Sequence, residues 1–262
     1  MNDLFGMQGK AALVIGGGQG IGEANACLLA EVGCDVAIAD LDGDRARAVA
    51  QKVQSVGRRA AIAIGDVLDP TGVQAIVEKA WDDLGRLDVL VCVVGRALFK
   101  PAIELTAEDW DLDQSRNLRY AFLAAQAFAR RLIETGRPGT IVFTGSVSGL
   151  QASTGHAAYG AAKAALYNLV KSLAVEWAPH GIRVNCVAPG GIATPRYPLT
   201  PERAASSKAG PVPLKRLGTA DEIAKGALFL SSDLSTFVTG QTLSVDGGWS
   251  AANLCLHSVI KP

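Results

Sequence analysis

The run Gly16-Gly17-Gly18-Gln19-Gly20-Ile21-Gly22 separates an apolar pentapeptide at 11–15 from an amphipathic stretch at 21–32. A glycine-rich turn between a buried strand and a helix narrows the possible folds. Glycine lets the chain turn tightly and brings backbone N–H groups close to a phosphate, and the helix start adds its partial positive end. The same alternation continues down the chain, which is the signature of βαβ units. Strands are expected at 11–15, 36–39, 60–64, 89–94, 141–144, 182–187 and 243–245. Helices are expected at 21–32, 44–56, 71–84, 106–134, 157–177 and 221–230. The strands are apolar throughout rather than alternating, as in a parallel sheet covered on both faces. The expectation is a single α/β domain over 1–262, with no linker, repeat or low-complexity tract.

Composition removes several function classes. The chain is 49% hydrophobic and 19% charged, with Lys+Arg and Asp+Glu both at 25. That balance gives no electrostatic footprint for nucleic acid or an anionic membrane. The longest apolar strand-like run, 89–94, is far shorter than a membrane span. The first ten residues lack a basic region followed by an apolar core, so no secretory signal is expected. Cys27, Cys34, Cys92, Cys186 and Cys255 are dispersed without CxxC pairs, which points to reduced thiols in the cytoplasm. His156, His180 and His257 show no ligand spacing, so no metal site is expected.

Asp40 ends the second strand, where a carboxylate accepts the ribose hydroxyls of an adenosine and repels a 2′-phosphate. No Arg or Lys stands at 17–21 or 41–44, which favours NAD over NADP. Asp66, with Val67 at the end of the third strand, either bonds the adenine amino group or caps a turn. Tyr159 and Lys163 are four apart in a predicted helix and share a face. An ammonium beside a phenol stabilises the phenolate. The Gly145-Ser146-Val147-Ser148-Gly149 stretch lacks the serine-hydrolase elbow, since neither serine has glycine two residues away on both sides. The proline-rich stretch 189–213 has little periodicity, follows a strand's carboxyl end and reads as a substrate lid.

Taken together, these motifs make the chain similar to the short-chain dehydrogenase/reductase superfamily, in its single-domain branch of about 250 residues. Ser146 stands thirteen residues before Tyr159, as that pattern requires, and Asn117 matches the family's fourth catalytic residue. The resemblance implies a Rossmann fold with strand order 3-2-1-4-5-6-7, a nicotinamide dinucleotide cofactor and a homotetramer or dimer. It implies cofactor contacts at Gly16, Gln19, Gly20, Ile21, Gly22, Asp40, Asp66, Val67, Gly95, Tyr159, Lys163, Pro189, Gly190, Ile192 and Thr194. Tyr159 is the expected general acid/base, Ser146 the holder of the substrate oxygen, and Lys163 the partner of the nicotinamide ribose. Asn117 is expected to hold a water that links Lys163 to solvent.

The resemblance also suggests a substrate pocket walled by Arg96–Leu98, Val147–Gly149, Ser153–His156 and the 189–213 stretch. Arg96 either pairs with a substrate carboxylate or faces solvent. His156, one turn before Tyr159, is placed to touch substrate together with Leu98 and Ser148. The tail after Asp246 closes either a neighbour's site or its own.

Two departures stand out. Ile15 occupies the position of the family's threonine before the glycine turn, and Cys92-Val93-Val94-Gly95 replaces its Asn-Asn-Ala-Gly motif. Packing of Ile15 on Val93 or Val94 is expected to substitute for the lost hydrogen bond. The implied activity is NAD-dependent interconversion of a secondary alcohol and a ketone. The readings left open are an NADPH-dependent 3-oxoacyl-carrier-protein reductase and a non-catalytic dinucleotide-binding regulator.

Overall fold

The computed structural model describes residues 3–210 and 212–252. The tail beyond 252, with Cys255 and His257, lies outside the described residues, as does Pro211. Seven parallel strands form the central sheet: β1 (Ala11–Ile15), β2 (Asp35–Asp40), β3 (Ala60–Ile64), β4 (Val89–Cys92), β5 (Gly139–Thr144), β6 (Ile182–Pro189) and β9 (Thr242–Val245). Their order is β3-β2-β1-β4-β5-β6-β9. This is the expected doubly wound sheet. Two short strands, β7 (Ile192–Ala193) and β8 (Gly218–Thr219), pair separately; at two residues each they carry no sequence period.

Alternation along β1 splits the core into two layers. Leu13 and Ile15 join one apolar cluster with side chains from α3 (Pro70–Leu84), α5 (Tyr120–Glu134) and α6 (Ala157–Trp177). Ala12 and Val14 join the opposite cluster, against α1 (Gly20–Glu31) and α2 (Gly43–Ser55). Leu228 of α8 (Ala220–Ser231) packs on that second face as well. β1 pairs on one side with β2 and on the other with β4, so the chain reverses its order of addition there. In such sheets the crevice at the carboxyl ends of these strands is where ligands bind.

Three expected boundaries need correction, each near that crevice. The strand expected at 89–94 leaves the sheet after Cys92, although Val93 N–H still donates to the Ile15 carbonyl at 2.9 Å. The Tyr120 hydroxyl donates to the Val94 carbonyl at 2.6 Å, beyond the end of the ladder. The helix expected over 106–134 is two, α4 (Ala107–Gln114) and α5, joined through a π turn at Ser115–Arg119. Asn117 lies in that turn, and its side-chain amide donates to the Asp113 carbonyl at 2.9 Å. Side-chain amides that bond nearby carbonyls compete with the helix ladder. The 189–213 stretch also contains a helix, α7 (Pro201–Ala209), which starts with Pro201 in its first turn and Thr200 capping Arg203 N–H. Its polar composition hides its period in the sequence.

Candidate active site

An open cleft of about 450 Å³ lies at the carboxyl ends of the strands. Gly16, Gln19, Gly20, Ile21, Asp40, Asp66, Val67, Gly95, Arg96, Ser146, Tyr159, Lys163, Pro189, Gly190, Ile192 and Thr194 all line it. Gly22, Asn117, Leu98, Ser148 and His156 do not, and each has another place.

The glycine turn closes tightly. Gly16 has φ +85°, and the N–H groups of Gly16 and Gly17 donate to the Ala39 carbonyl at 2.8 and 3.0 Å. A side chain on Gly22 would overlap the Gly16 carbonyl, so Gly22 serves the packing of α1 against the turn. Gln19 begins α1 without a side-chain cap, which leaves the first N–H groups of the helix facing the cleft. That is the environment a pyrophosphate requires, and the turn fits a dinucleotide.

Asp40 is already engaged. One carboxylate oxygen accepts Gly18 N–H at 3.0 Å, and the other accepts Asp42 N–H at 3.0 Å and the Arg45 guanidinium at 2.9 Å. Arg45 also lines the cleft, one residue beyond the stretch inspected in the sequence. The reasoning that no cation offsets Asp40 is therefore corrected. Asp66 accepts Leu68 N–H at 2.9 Å, the turn-capping role, while its residue still borders the cleft.

Ser146, Tyr159 and Lys163 meet on the floor. Ser146 follows β5 and opens a 3-10 turn in which its Oγ accepts Ser148 N–H at 3.1 Å. Burial pushes the Tyr159 phenol above its usual range, and the nearby Ser146 side chain opposes that by favouring the phenolate. The Lys163 ammonium is 2% exposed, donates to the Thr144 carbonyl at 2.8 Å and lies 5.6 Å from the Tyr159 ring centre. Burial lowers it to about 8. The neighbouring thiols of Cys92 and Cys186 are buried; burial raises both, Cys186 to about 12. They remain protonated and inert near neutral pH.

Tyr167 is a residue that the motif reading missed. Two helical turns after Tyr159, its hydroxyl donates to the Ser146 carbonyl and accepts Ser146 N–H at 2.8 Å. Nothing in the Ser–Tyr–Lys spacing signals it, because it acts on backbone.

Asn117 is buried behind Gly95 and holds the Arg96 peptide from both sides. Its Oδ1 accepts Arg96 N–H at 3.1 Å, and its Nδ2 donates to the Arg96 carbonyl at 3.0 Å. A side chain on Gly95 would come within 3.2 Å of both Asn117 Oδ1 and Lys163 Nζ, so only glycine fits comfortably between them. Further along, Leu98 N–H donates to Asp113 at 3.3 Å, and the fully buried Asp113 carboxylate is paired with Arg116 at 2.5 Å. The segment that replaces Asn-Asn-Ala-Gly is thus held by Tyr120, Asn117 and Asp113. Ile15 shares its apolar cluster with Val94, whereas Val93 packs on the opposite cluster.

His156 flanks the floor. Its ring meets Tyr159 edge-on at 5.4 Å and Phe99 at 5.5 Å, and Nδ1 lies 3.1 Å from Ser148 Oγ. Burial lowers its pKa, keeping it neutral at neutral pH. Arg116, Arg196 and Tyr197 also border the cleft and were not singled out from the sequence. Among the described residues no cluster of metal-ligating side chains occurs, and no helix is long and apolar enough to cross a membrane.

A doubly wound sheet with a dinucleotide-shaped turn and a Ser–Tyr–Lys floor defines a nicotinamide-dependent oxidoreductase class. The comparisons agree. A family model described as Enoyl-(Acyl carrier protein) reductase matches residues 16–250. Glucose 1-dehydrogenase from Gluconobacter oxydans (strain 621H) is 39% identical, over 92% of this chain and 91% of its own. The 3-oxoacyl-(acyl-carrier-protein) reductase of Thermotoga maritima is 34% identical over 92% of this chain and 98% of its own. The solved structure of 7α-hydroxysteroid dehydrogenase with NADH and 7-oxo glycochenodeoxycholic acid superposes with a TM-score of 0.89 at 31% identity, covering 95% of this chain and 97% of that one. The chain belongs to the short-chain dehydrogenase/reductase family, whose members are oxidoreductases that bind nicotinamide dinucleotides.

Proposed function

We propose that the protein interconverts a secondary alcohol and a ketone with NAD, using Tyr159 as general acid/base. The observation that carries this reading is that Ser146, Tyr159 and Lys163 meet in one cleft, with the buried Lys163 ammonium 5.6 Å from the Tyr159 ring centre. A nicotinamide dinucleotide held in the cleft would supply the hydride chemistry. Tyr159 takes the hydroxyl proton as the carbonyl forms, and Ser146 holds the same oxygen as its charge changes. Lys163 stabilises the phenolate through its charge and supplies donors toward the nicotinamide ribose. Asn117 holds the Arg96 peptide and carries the water that passes the proton onward. The turn from Gly16 to Ile21, with Asp40, Asp66 and Val67, holds the adenosine and pyrophosphate; Gly95, Pro189, Gly190, Ile192 and Thr194 border the nicotinamide end.

His156, Leu98 and Ser148 form the wall beside Tyr159, and the 189–213 segment covers the substrate. A homotetramer in the cytoplasm is the accompanying assignment, in keeping with the free thiols of Cys27, Cys34, Cys92 and Cys186. The Arg45–Asp40 pair favours a second reading, use of NADPH as a 3-oxoacyl-carrier-protein reductase would, because a cation there tempers repulsion of a 2′-phosphate. Parallel assays with NAD⁺ and NADP⁺ across secondary alcohols, wild type against Tyr159→Phe, test both. NAD-dependent turnover abolished in the variant supports the first reading, and faster NADP⁺ reduction supports the second.

A further inference from the structure

Arg96 combines a fixed backbone with an uncommitted side chain. Asn117 bonds both its N–H and its carbonyl, so the chain direction at this residue is set by a buried amide. Its side chain is exposed at the cleft and pairs with no carboxylate among the described residues. Neighbouring cations behave differently. Arg45 pairs with Asp40, Arg116 with Asp113 and Lys100 with Asp109.

Arg196 arrives from the opposite wall. It follows β7 and donates from Nη1 to the Gly95 carbonyl at 3.3 Å, which brings a second guanidinium beside residue 96. It too has no carboxylate partner among the described residues. Among the described residues, the acids lining the cleft are Asp40 and Asp66, both on its glycine-turn side. Two arginines without a carboxylate partner among the described residues therefore flank the reacting end, and the buried Asp113 behind Leu98 is already paired with Arg116. Guanidinium groups bind carboxylates through paired, parallel hydrogen bonds, which orient the ligand as well as attract it.

We propose that the substrate is a hydroxy acid and its product an oxo acid, the carboxylate being held by Arg96 and Arg196 while the carbinol lies at Tyr159. This rests on the hydride-transfer reading above. The carboxylate takes no part in the chemistry. The carbinol carbon loses hydride to the oxidised nicotinamide, its O–H proton passes to Tyr159, and C=O forms with the carboxylate unchanged.

The test is calorimetric titration of the protein saturated with NADH, using charged and neutral ketones of matched shape. The probes are 4-acetylbenzoate against 4-acetylbenzamide, and acetoacetate against acetoacetamide. In at least one pair the acid binds about tenfold tighter than the amide. That preference collapses in Arg96→Gln and weakens in Arg196→Gln, while the amide's affinity stays unchanged. Equal binding of acid and amide in both pairs overturns the proposal, as does a loss in Arg96→Gln that strikes acid and amide alike. NADH consumption in the same mixtures separates the two readings, since acid preference without turnover contradicts the hydride-transfer reading and leaves the carboxylate site standing.

Discussion

The Tyr167 hydroxyl is bonded to both backbone polar groups of Ser146, accepting its N–H at 2.8 Å and donating to its carbonyl. A phenol one side of which is packed in the core thereby fixes the backbone of the residue proposed to hold the substrate oxygen. Gly145 makes room for it, since any side chain there would strike the Tyr167 ring. Tyr167→Phe leaves the partly buried Ser146 N–H without its partner, while the Ser146 carbonyl keeps Gly149 N–H at 3.0 Å, at a cost of about 1–3 kcal/mol. Thermal denaturation is expected to show a lower Tm, and kcat to fall while the NADH dissociation constant holds. An unchanged Tm would mean the two bonds are replaced by water at no cost.

Lys163 carries a stability penalty for its place in the site. Burial holds its pKa at about 8, below the usual lysine value. Between that pH and about 10.4 the unfolded chain binds more protons than the folded one, so stability rises with pH across this window. Below pH 8 the folded state keeps a charged ammonium in a dry place. Lys163→Met is expected to abolish turnover and yet raise stability at pH 7 by about 1–2 kcal/mol, with the pH slope between 8 and 10 flattened. Urea unfolding at pH 7 and pH 10 reads both effects. A destabilised variant would show that the bond to the Thr144 carbonyl outweighs the burial of charge.

How far the sequence reaches is clearest around the cleft. The central strands β1 and β4 are legible because they are buried throughout and read as plain apolar runs, while the edge strands β3 and β9 are only partly buried; Ser146, Tyr159 and Lys163 are legible because their spacing of thirteen and four is itself the motif. Asn117 is legible as a residue, but the π turn it produces is not, since the break depends on where its amide finds Asp113 and Arg96. Tyr167 is invisible because it holds backbone, which leaves no pattern of residue types. Arg45 stands just past the loop where a counter-ion to Asp40 is sought, and only the first turn of α2 brings it back over that carboxylate.

Arg45 also makes cofactor choice a measurable electrostatic question. Its guanidinium neutralises part of the Asp40 charge that would repel a 2′-phosphate. Removing it by Arg45→Ala is expected to widen the preference for NAD⁺ over NADP⁺ in kcat/KM by about threefold to tenfold, and Asp40→Ala to narrow it by at least as much. Steady-state kinetics with both cofactors checks the pair of signs. If Arg45→Ala leaves the ratio untouched, Arg45 serves only to hold the glycine turn through Asp40.

The central claim is that Tyr159 exchanges the proton with the substrate oxygen, so that loss of its hydroxyl strikes turnover far more than cofactor binding. The most direct measurement pairs NADH fluorescence titration with NAD⁺ reduction across secondary alcohols and hydroxy acids, for wild type and Tyr159→Phe. The account predicts NADH affinity within about threefold of wild type and turnover lower by about a hundredfold to ten-thousandfold. Wild-type rates should also rise with pH as the phenol ionises. A Tyr159→Phe variant that still reduces NAD⁺ at a comparable rate would contradict it.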